Sequence, residues 1–278
     1  MEKFPGGRDL VAAAGGRIDT ARMAGMEDLL RVHTPEYLRT VEKGLWTRSE
    51  QVKMGLPVDG RLFDRCAAET GGTICAARAA LKEGLAANLG GGTHHAAPSR
   101  AGGFCVFNDV AVAVRSLRAE SPDLFIMVVD TDAHQGDGTH EIFQDDPRTF
   151  TYSIHVGANY PARKVAGDVD IGLERFVGGA VYLDRLQSSL EKAFLEFEPD
   201  LVFWISGADV HFDDRFGQMS LTEAEIGVRN NFIHDLIRSW SVPLVIVYGG
   251  GYNRSVSLTN RLHVLPVLQT LQRDPGRI

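Results

Sequence analysis

Apolar positions change period along this chain. The run Leu124-Phe125-Ile126-Met127-Val128-Val129 has no inside/outside alternation, the pattern of a parallel strand covered on both faces. Short apolar runs also predict strands at 149–155, 200–206 and 243–248. Between and around them, helical spacing predicts helices over 107–119, 179–197, 222–239 and 257–271. Thr222-Glu223-Ala224-Glu225 reads as a capping box, with Ser220 a second candidate cap. Alternating strands and helices imply α/β architecture: a single-domain, three-layer, open and mostly parallel sheet with helices on both faces.

Upstream the pattern is weaker. Residues 1–25 are rich in Gly, Ala and Arg and supply no opening strand. Leu29, Leu30, Val32, Tyr37, Leu38 and Val41 predict two helical pieces broken at Thr34-Pro35, with Thr34 as cap and Pro35 in the first turn. Residues 44–63 read as loop, with Gly55, Pro57 and Gly60. A long helix is predicted over 64–87, its Gly71-Gly72 marking close packing. No repeat, low-complexity tract or linker divides the chain, so residues 1–278 read as one domain.

Chemistry collects where the predicted strands end. Strand 124–130 runs into Asp130-Thr131-Asp132-Ala133-His134-Gln135-Gly136-Asp137-Gly138. The other three end in Ser153-Ile154-His155, Ser206-Gly207-Ala208-Asp209 and Gly249-Gly250-Gly251-Tyr252-Asn253. Four such ends on one sheet edge define a ligand crevice. Asp132, His134 and Asp209 are candidate metal ligands, since two carboxylates and an imidazole leave positions open for water and substrate, as catalytic zinc requires. Fe(II) suits the same ligands. Alternatively, the stretch is an acidic loop with one helix cap, and Asp209 closes a turn. His94 and His95 follow Gly90-Gly91-Gly92-Thr93 and suit acid–base work, with Asp130 and Asp137 available to orient their rings. A phenol at Tyr252 can donate to a developing oxyanion; the same glycine run equally suits a phosphate-holding turn with a packed tyrosine. Asn108 and Asp109 are both candidate caps for the helix that follows them.

Composition narrows the class. The chain is 44% hydrophobic and 23% charged, as in ordinary globular proteins, with a formal net charge of −7. That charge argues against direct nucleic-acid binding and leaves cationic substrates open. Cys66, Cys75 and Cys105 have no paired spacing, which fits a reducing compartment. With no secretory pattern and no bilayer-length apolar run, the expected location is cytoplasmic, away from membranes. No Ser or Cys is placed with a base; Cys105 reads as a packing residue.

Five motifs together resemble the histone deacetylase superfamily, which includes bacterial acetylpolyamine and acetoin-utilisation amidohydrolases. They are Gly91-Gly92-Thr93-His94-His95-Ala96, Gly103-Phe104-Cys105-Val106-Phe107-Asn108-Asp109, the Asp130–Gly138 stretch, Ser206-Gly207-Ala208-Asp209 and Gly249-Gly250-Gly251-Tyr252. They stand in family order, and the resemblance spans residues 26–270. Gln135 and the compact length look most like the short class IV-type and bacterial branch. The resemblance implies the arginase/deacetylase fold and zinc at Asp132, His134 and Asp209. It implies His95, paired with Asp137, as general base and then acid, His94, paired with Asp130, as its charged neighbour, and Tyr252 as oxyanion donor. It places Gly103, Phe104, Tyr160, Phe216 and Gly250 along an acyl-lysine tunnel. It also implies structural potassium at Asp130, Asp132, His134, Ser153 and Ile154, with a second site near Phe143, Asp146 and Thr149.

The substrate implied is an acetylated lysine in a protein or peptide. Alternatives are an acetylated amine such as an acetylpolyamine, or acyl-lysine binding without catalysis. Three features depart from the family pattern. The family's first strand precedes the segment resembling Met1-Glu2-Lys3-Phe4 and is missing here. Phe176-Val177-Gly178-Gly179-Ala180 replaces a more polar turn. The rim carboxylate of relatives has two candidates, Asp59 and Asp64, between which the sequence does not choose.

Overall fold

Alternation along each strand sends neighbouring side chains to opposite faces, and that sorts the core into two layers. The structure, a computed structural model, describes residues 6–273. Its sheet has six strands: β1 Leu85–Ala87, β2 Ile126–Asp130, β3 Thr149–Val156, β4 Val169–Leu173, β5 Leu201–Ile205 and β6 Leu244–Val247. Their order is β1-β6-β5-β2-β3-β4, and every pairing is parallel. Ile126, Val128, Leu201, Phe203 and Ile205 enter one apolar cluster; Met127, Val129, Val202 and Trp204 enter the other.

The first cluster is covered by α2 Met26–Leu30, α3 Pro35–Lys43, α5 Leu62–Glu83 and α6 Asp109–Glu120. The second is covered by α1 Gly7–Ala13, α8 Gly179–Glu196, α9 Glu223–Ser239 and α10 Val256–Arg273. This is the expected three-layer α/β fold. Two further helices, α4 Arg48–Met54 and α7 Asp137–Phe143, lie near the sheet's C-terminal edge.

Local chemistry explains the boundaries. The Thr34 side chain accepts from Tyr37 N and Pro35 opens α3, as expected. Thr222, rather than Ser220, caps α9 through a reciprocal box with Glu225. Gly84, at φ 88°, ends α5 four residues before the predicted limit. The freed residues form edge strand β1, which sequence periodicity absorbed into the helix.

The segment expected to be loop, 44–63, contains α4, closed by a Thr47–Glu50 capping box and Gly55 at φ 72°. Both signals are visible in Thr47-Arg48-Ser49-Glu50 and Gly55, but Gly and Pro nearby outweighed them. Strands β4 and α7 were likewise not anticipated. No strand precedes β1 among the described residues, and the segment Met1–Phe4 lies outside them. The Phe176–Ala180 turn pairs with the 218–220 segment: Phe176 N donates to Gln218 O and Ser220 N to Val177 O.

Buried His33 braces the loop that leads to α6. Its Nδ1 lies 3.1 Å from Ala97 O, and Asn108 N–H donates to Nε2 at 3.1 Å. Burial pushes this imidazole down to about 4, below its ordinary 6.5. The unfolded chain therefore binds the extra proton first, so this contribution is present above pH 6.5 and is lost as pH falls towards 4. His33→Gln is expected to flatten the pH dependence of unfolding free energy in that window by up to about 1.4 kcal/mol per pH unit, read by urea melts.

Candidate metal and catalytic site

Strand order creates the crevice. From central β2 the chain continues to β3 on one side, while β5 lies on the other, so loops leaving β2 and β5 diverge around a gap. Asp132 and His134 follow β2, Asp209 follows β5, and Gly249–Tyr252 follow β6. Ligand atoms of Asp132, His134 and Asp209 all lie within 4.8 Å of one another. Asp132 and Asp209 are fully buried. His134 Nδ1 is 3.1 Å from Asp132 Oδ1 and 2.9 Å from Asp209 Oδ2. Its Nε2 faces Phe216 O at 3.2 Å, an acceptor that would keep a proton on Nε2 when Nδ1 binds a metal.

Two carboxylates buried this closely repel each other. Burial and Asp132 push the Asp209 carboxyl up to about 7. Asp132 goes the other way: burial opposes ionisation, but His94 and His134 hold it well below the carboxylate range. A divalent cation relieves that repulsion, and the donor set, two oxygens and one imidazole nitrogen, fits zinc or Fe(II). The ligands are in turn fixed by backbone. Gly250 N donates to Asp132 Oδ2 at 2.6 Å, and Ala133 N to Asp209 Oδ1 at 2.9 Å. A Cβ on Gly250 would sit 2.5 Å from Asp209 Oδ2 and 2.7 Å from Asp132 Oδ2. Gly250→Ala is therefore expected to weaken zinc binding roughly 10–100-fold while leaving the fold intact, measured by chelator competition.

The two histidines stand beside this triad. His94 Nδ1 meets Asp130 Oδ2 at 2.6 Å, His95 Nδ1 meets Asp137 Oδ1 at 2.7 Å, and the two Nε2 atoms are 3.1 Å apart. Burial disfavours charge on His94, but Asp130 and Asp132 outweigh it and hold the ring up to about 9. Burial and the His94 charge push His95 down to about 4, against Asp137. The pair thus shares one proton between its facing nitrogens, carried on His94, and His95 is the neutral ring. Asp137 owes its position to the start of α7.

A cavity of about 700 Å³ opens onto these groups, and Gly103, Phe104, Tyr160, Phe216, Gly250 and Tyr252 line it. The rings of Phe104 and Phe216 face each other at 6.3 Å, and Phe104 lies 5.2 Å from Tyr252. Tyr160 stands edge-on to His95 at 4.7 Å. Gly103 has φ 50°, and a Cβ there would come within 2.3 Å of the His95 ring. Burial pushes the Tyr252 phenol far up, so it stays a proton donor. Neither Asp59 nor Asp64 lines the cavity.

Several residues support the site through contacts that the sequence did not show. Asp109 accepts from Gly92 N and Thr93 N, fixing the turn before His94, while Asn108 is the cap of α6. Asp214 accepts from Phe216 N, Gly217 N and Tyr252 N, tying one tunnel wall to the tyrosine loop. The Gln135 amide pairs with both backbone groups of Val165, anchoring the loop that follows Tyr160. Buried Arg229 donates to Gly207 O and Thr131 O beneath the metal ligands. These are long-range partners, and α4 adds two more: Lys53 O and Met54 O accept from Gly103 N and Phe104 N.

One expectation changes. Ser153 does meet a histidine, His155, at 3.0 Å. Asp170 lies 3.5 Å from the same Nδ1, and both Ser153 and His155 are buried, so no nucleophilic triad forms. Near the suggested second potassium position, the Asp146 side chain pairs with Arg115 at 2.9 Å and Arg118 at 2.5 Å, which leaves backbone carbonyls as the groups that would serve an ion there. Residues of the first potassium position converge better, since Asp130 is in register with Ser153. Cys105 is buried and its thiol is pushed far up, as befits packing. No helix among the described residues is long and apolar enough to cross a membrane.

Known proteins resemble this chain in sequence and fold. The Histone deacetylase domain family matches residues 9–267. An uncharacterized protein of Picosynechococcus sp. is 39% identical over 225 residues, 81% of this chain and 75% of that protein. Acetoin utilization protein AcuC of Staphylococcus aureus is 29% identical across 84% of this chain, which spans 65% of that relative's length. Histone deacetylase 2 of Arabidopsis thaliana is 31% identical across 82% of this chain and 61% of its own length. The crystal structure of a histone deacetylase homolog from Aquifex aeolicus superposes with a TM-score of 0.80 at 26% identity, covering 96% of this chain and 76% of that one. A histone deacetylase homolog complexed with SAHA gives the same values.

Proposed function

The chain belongs to the histone deacetylase family, and from that premise we propose that it is a metal-dependent deacetylase acting on acetyl-lysine in a protein or peptide. The family is one of hydrolases that cleave amides. The observation that carries the reading is the convergence of the Asp132–His134–Asp209 cluster, the two carboxylate-backed histidines and Tyr252 on one cavity. Asp132, His134 and Asp209 would hold zinc, with Fe(II) fitting the same ligands. When bound, the metal supplies Lewis acidity to the amide carbonyl and makes water nucleophilic near neutral pH.

The chain's own groups do the rest. Gly103, Phe104, Tyr160 and Phe216 surround the alkyl chain of the substrate and exclude water from it. Asp137 holds the proton on His95 Nδ1, which leaves Nε2 to accept a proton from the attacking water. His95 then returns that proton to the leaving amine. His94, backed by Asp130, places positive charge beside the developing negative charge. The Tyr252 hydroxyl donates to the oxyanion. Potassium held by the backbone around Asp130, Asp132, His134, Ser153 and Ile154 would stiffen the metal loop.

Acetate release from an acetyl-lysine peptide by zinc-loaded protein tests the reading. His95→Ala is expected to lower kcat about 10²–10⁴-fold with metal still bound. Unchanged turnover in that variant would remove His95 from the chemistry. An acetylated small amine would undergo the same reaction; the two substrates differ in the charge they bring to the mouth.

A further inference from the structure

Three cations belong to the cavity lining, although the whole chain carries a net charge of −7. They are Lys53, Arg65 and Arg215. Lys53 adjoins the Phe104 wall, where its carbonyl accepts from Gly103 N at 3.2 Å. Arg215 adjoins the opposite wall: its guanidinium carbon lies 5.6 Å from the Phe216 ring centre, and Nε donates to Tyr252 O at 3.1 Å. The Arg215 guanidinium therefore flanks the Phe216 side of the Phe104–Phe216 gap, and the Lys53 backbone adjoins the Phe104 side. That Nε bond ties the guanidinium to the tyrosine loop, and the residue as a whole is exposed.

The nearby carboxylates are already engaged. Asp214 takes three backbone N–H groups, from Phe216, Gly217 and Tyr252. Asp213 lies 3.7 Å from Arg254. Of the lining carboxylates, Asp132 and Asp209 are the metal candidates, and Glu69 accepts from Gly91 N at 3.0 Å. Glu50, three residues before Lys53 and near enough to feel its charge, is held in the Thr47 capping box. Distant acidic residues act weakly here, because screening at physiological salt sets in over about 8 Å.

Resting on the deacetylase reading, we propose that the mouth is an anion subsite: it selects acylated amines that carry a carboxylate where the alkyl chain emerges, and it disfavours acetylpolyamines. An acetylated diamine with a four-carbon spacer places its ammonium at the depth of a lysine Cα, between Lys53 and Arg215. A glutamate flanking acetyl-lysine, or the α-carboxylate of acetyl-lysine itself, places a negative charge within reach of the same two cations. An exposed charge pair changes binding about two- to fivefold, so two pairs acting together give roughly tenfold.

The test uses three acetyl-lysine peptides of equal length flanked by Glu, Gln or Lys, together with N-acetylputrescine. Capped Nε-acetyl-lysine, as free acid and as amide, separates an α-carboxylate from a side-chain one. Zinc-loaded protein is assayed for kcat/KM by acetate release, and fluorescence anisotropy gives the affinity of labelled peptides independently of turnover. The expected order is Glu above Gln above Lys, with about a tenfold span at low salt that shrinks at high salt, and N-acetylputrescine poorest. Arg215→Gln and Lys53→Gln should each move the Glu-to-Gln ratio towards one, a ratio that general damage to turnover does not change. A gain confined to the capped free acid assigns the subsite to an α-carboxylate. Equal values across the peptides, a preference for Lys flanks, or N-acetylputrescine as the best substrate would overturn the proposal. Absence of any turnover would sink the deacetylase reading instead, and the anisotropy order would still decide the charge preference.

Discussion

Asp209→Asn is expected to yield a folded protein that no longer holds a divalent metal at working concentrations and no longer turns over substrate. Asp209 is fully buried, its Oδ1 takes Ala133 N–H, and its Oδ2 lies 2.9 Å from His134. An asparagine carbonyl still accepts from Ala133, so the loop keeps its shape while the site loses one negative charge. Changes in the groups that merely support a metal ligand cost about 10–100-fold in affinity, and loss of a ligand's own charge is expected to cost at least that. Stability separates this from a structural role. Burial and Asp132 push the Asp209 carboxyl up to about 7, so its ionised form works against the metal-free fold. Metal-free Asp209→Asn should melt no lower than metal-free parent, whereas zinc should raise the melting temperature of the parent alone. A variant that melts far below the parent without metal would assign Asp209 to the fold rather than to a metal.

Tyr252→Phe should do the opposite: metal stays, chemistry goes. Both backbone groups of residue 252 are tied to the neighbouring loop, N–H to Asp214 at 2.5 Å and C=O to Arg215 Nε at 3.1 Å. Phe104 and Phe216 flank the ring at 5.2 and 5.6 Å. A phenylalanine therefore keeps the ring in place and removes only the hydroxyl. Loss of one oxyanion donor lowers kcat by about 10²–10³-fold, with KM and zinc affinity expected to stay within a few-fold. A kcat within threefold of the parent would take the oxyanion role away from Tyr252.

Much of this arrangement was legible in the sequence because it is local. The acids, histidine and glycines of 130–138 stand in one segment, and an unbroken apolar run such as 126–129 announces its burial. Pairs at short spacing, such as Thr222 with Glu225, were equally readable. What stayed hidden depends on distant contacts. Arg229 reaches Thr131 across 98 residues, and Gln135 reaches Val165 across 30. Asp214 looks like any loop acid until the fold brings Tyr252 N–H to it. β1 was hidden because only three residues separate the end of α5 from the loop after it, too few for periodicity to register. Edge strand β4 carries a half-exposed alternation, which is a weaker signal than the buried run of β2. The cations of the cavity lining were masked by a net charge of the opposite sign, since composition averages what the fold separates.

The most direct measurement is a zinc titration of metal-stripped protein, with bound metal and acetate release from an acetyl-lysine peptide followed in the same sample. The expected result is tight binding of one catalytic zinc per chain, with activity rising in proportion to it and lost again on chelation. Turnover that is unaffected by stripping, or a stripped protein that takes up neither zinc nor Fe(II), would contradict it.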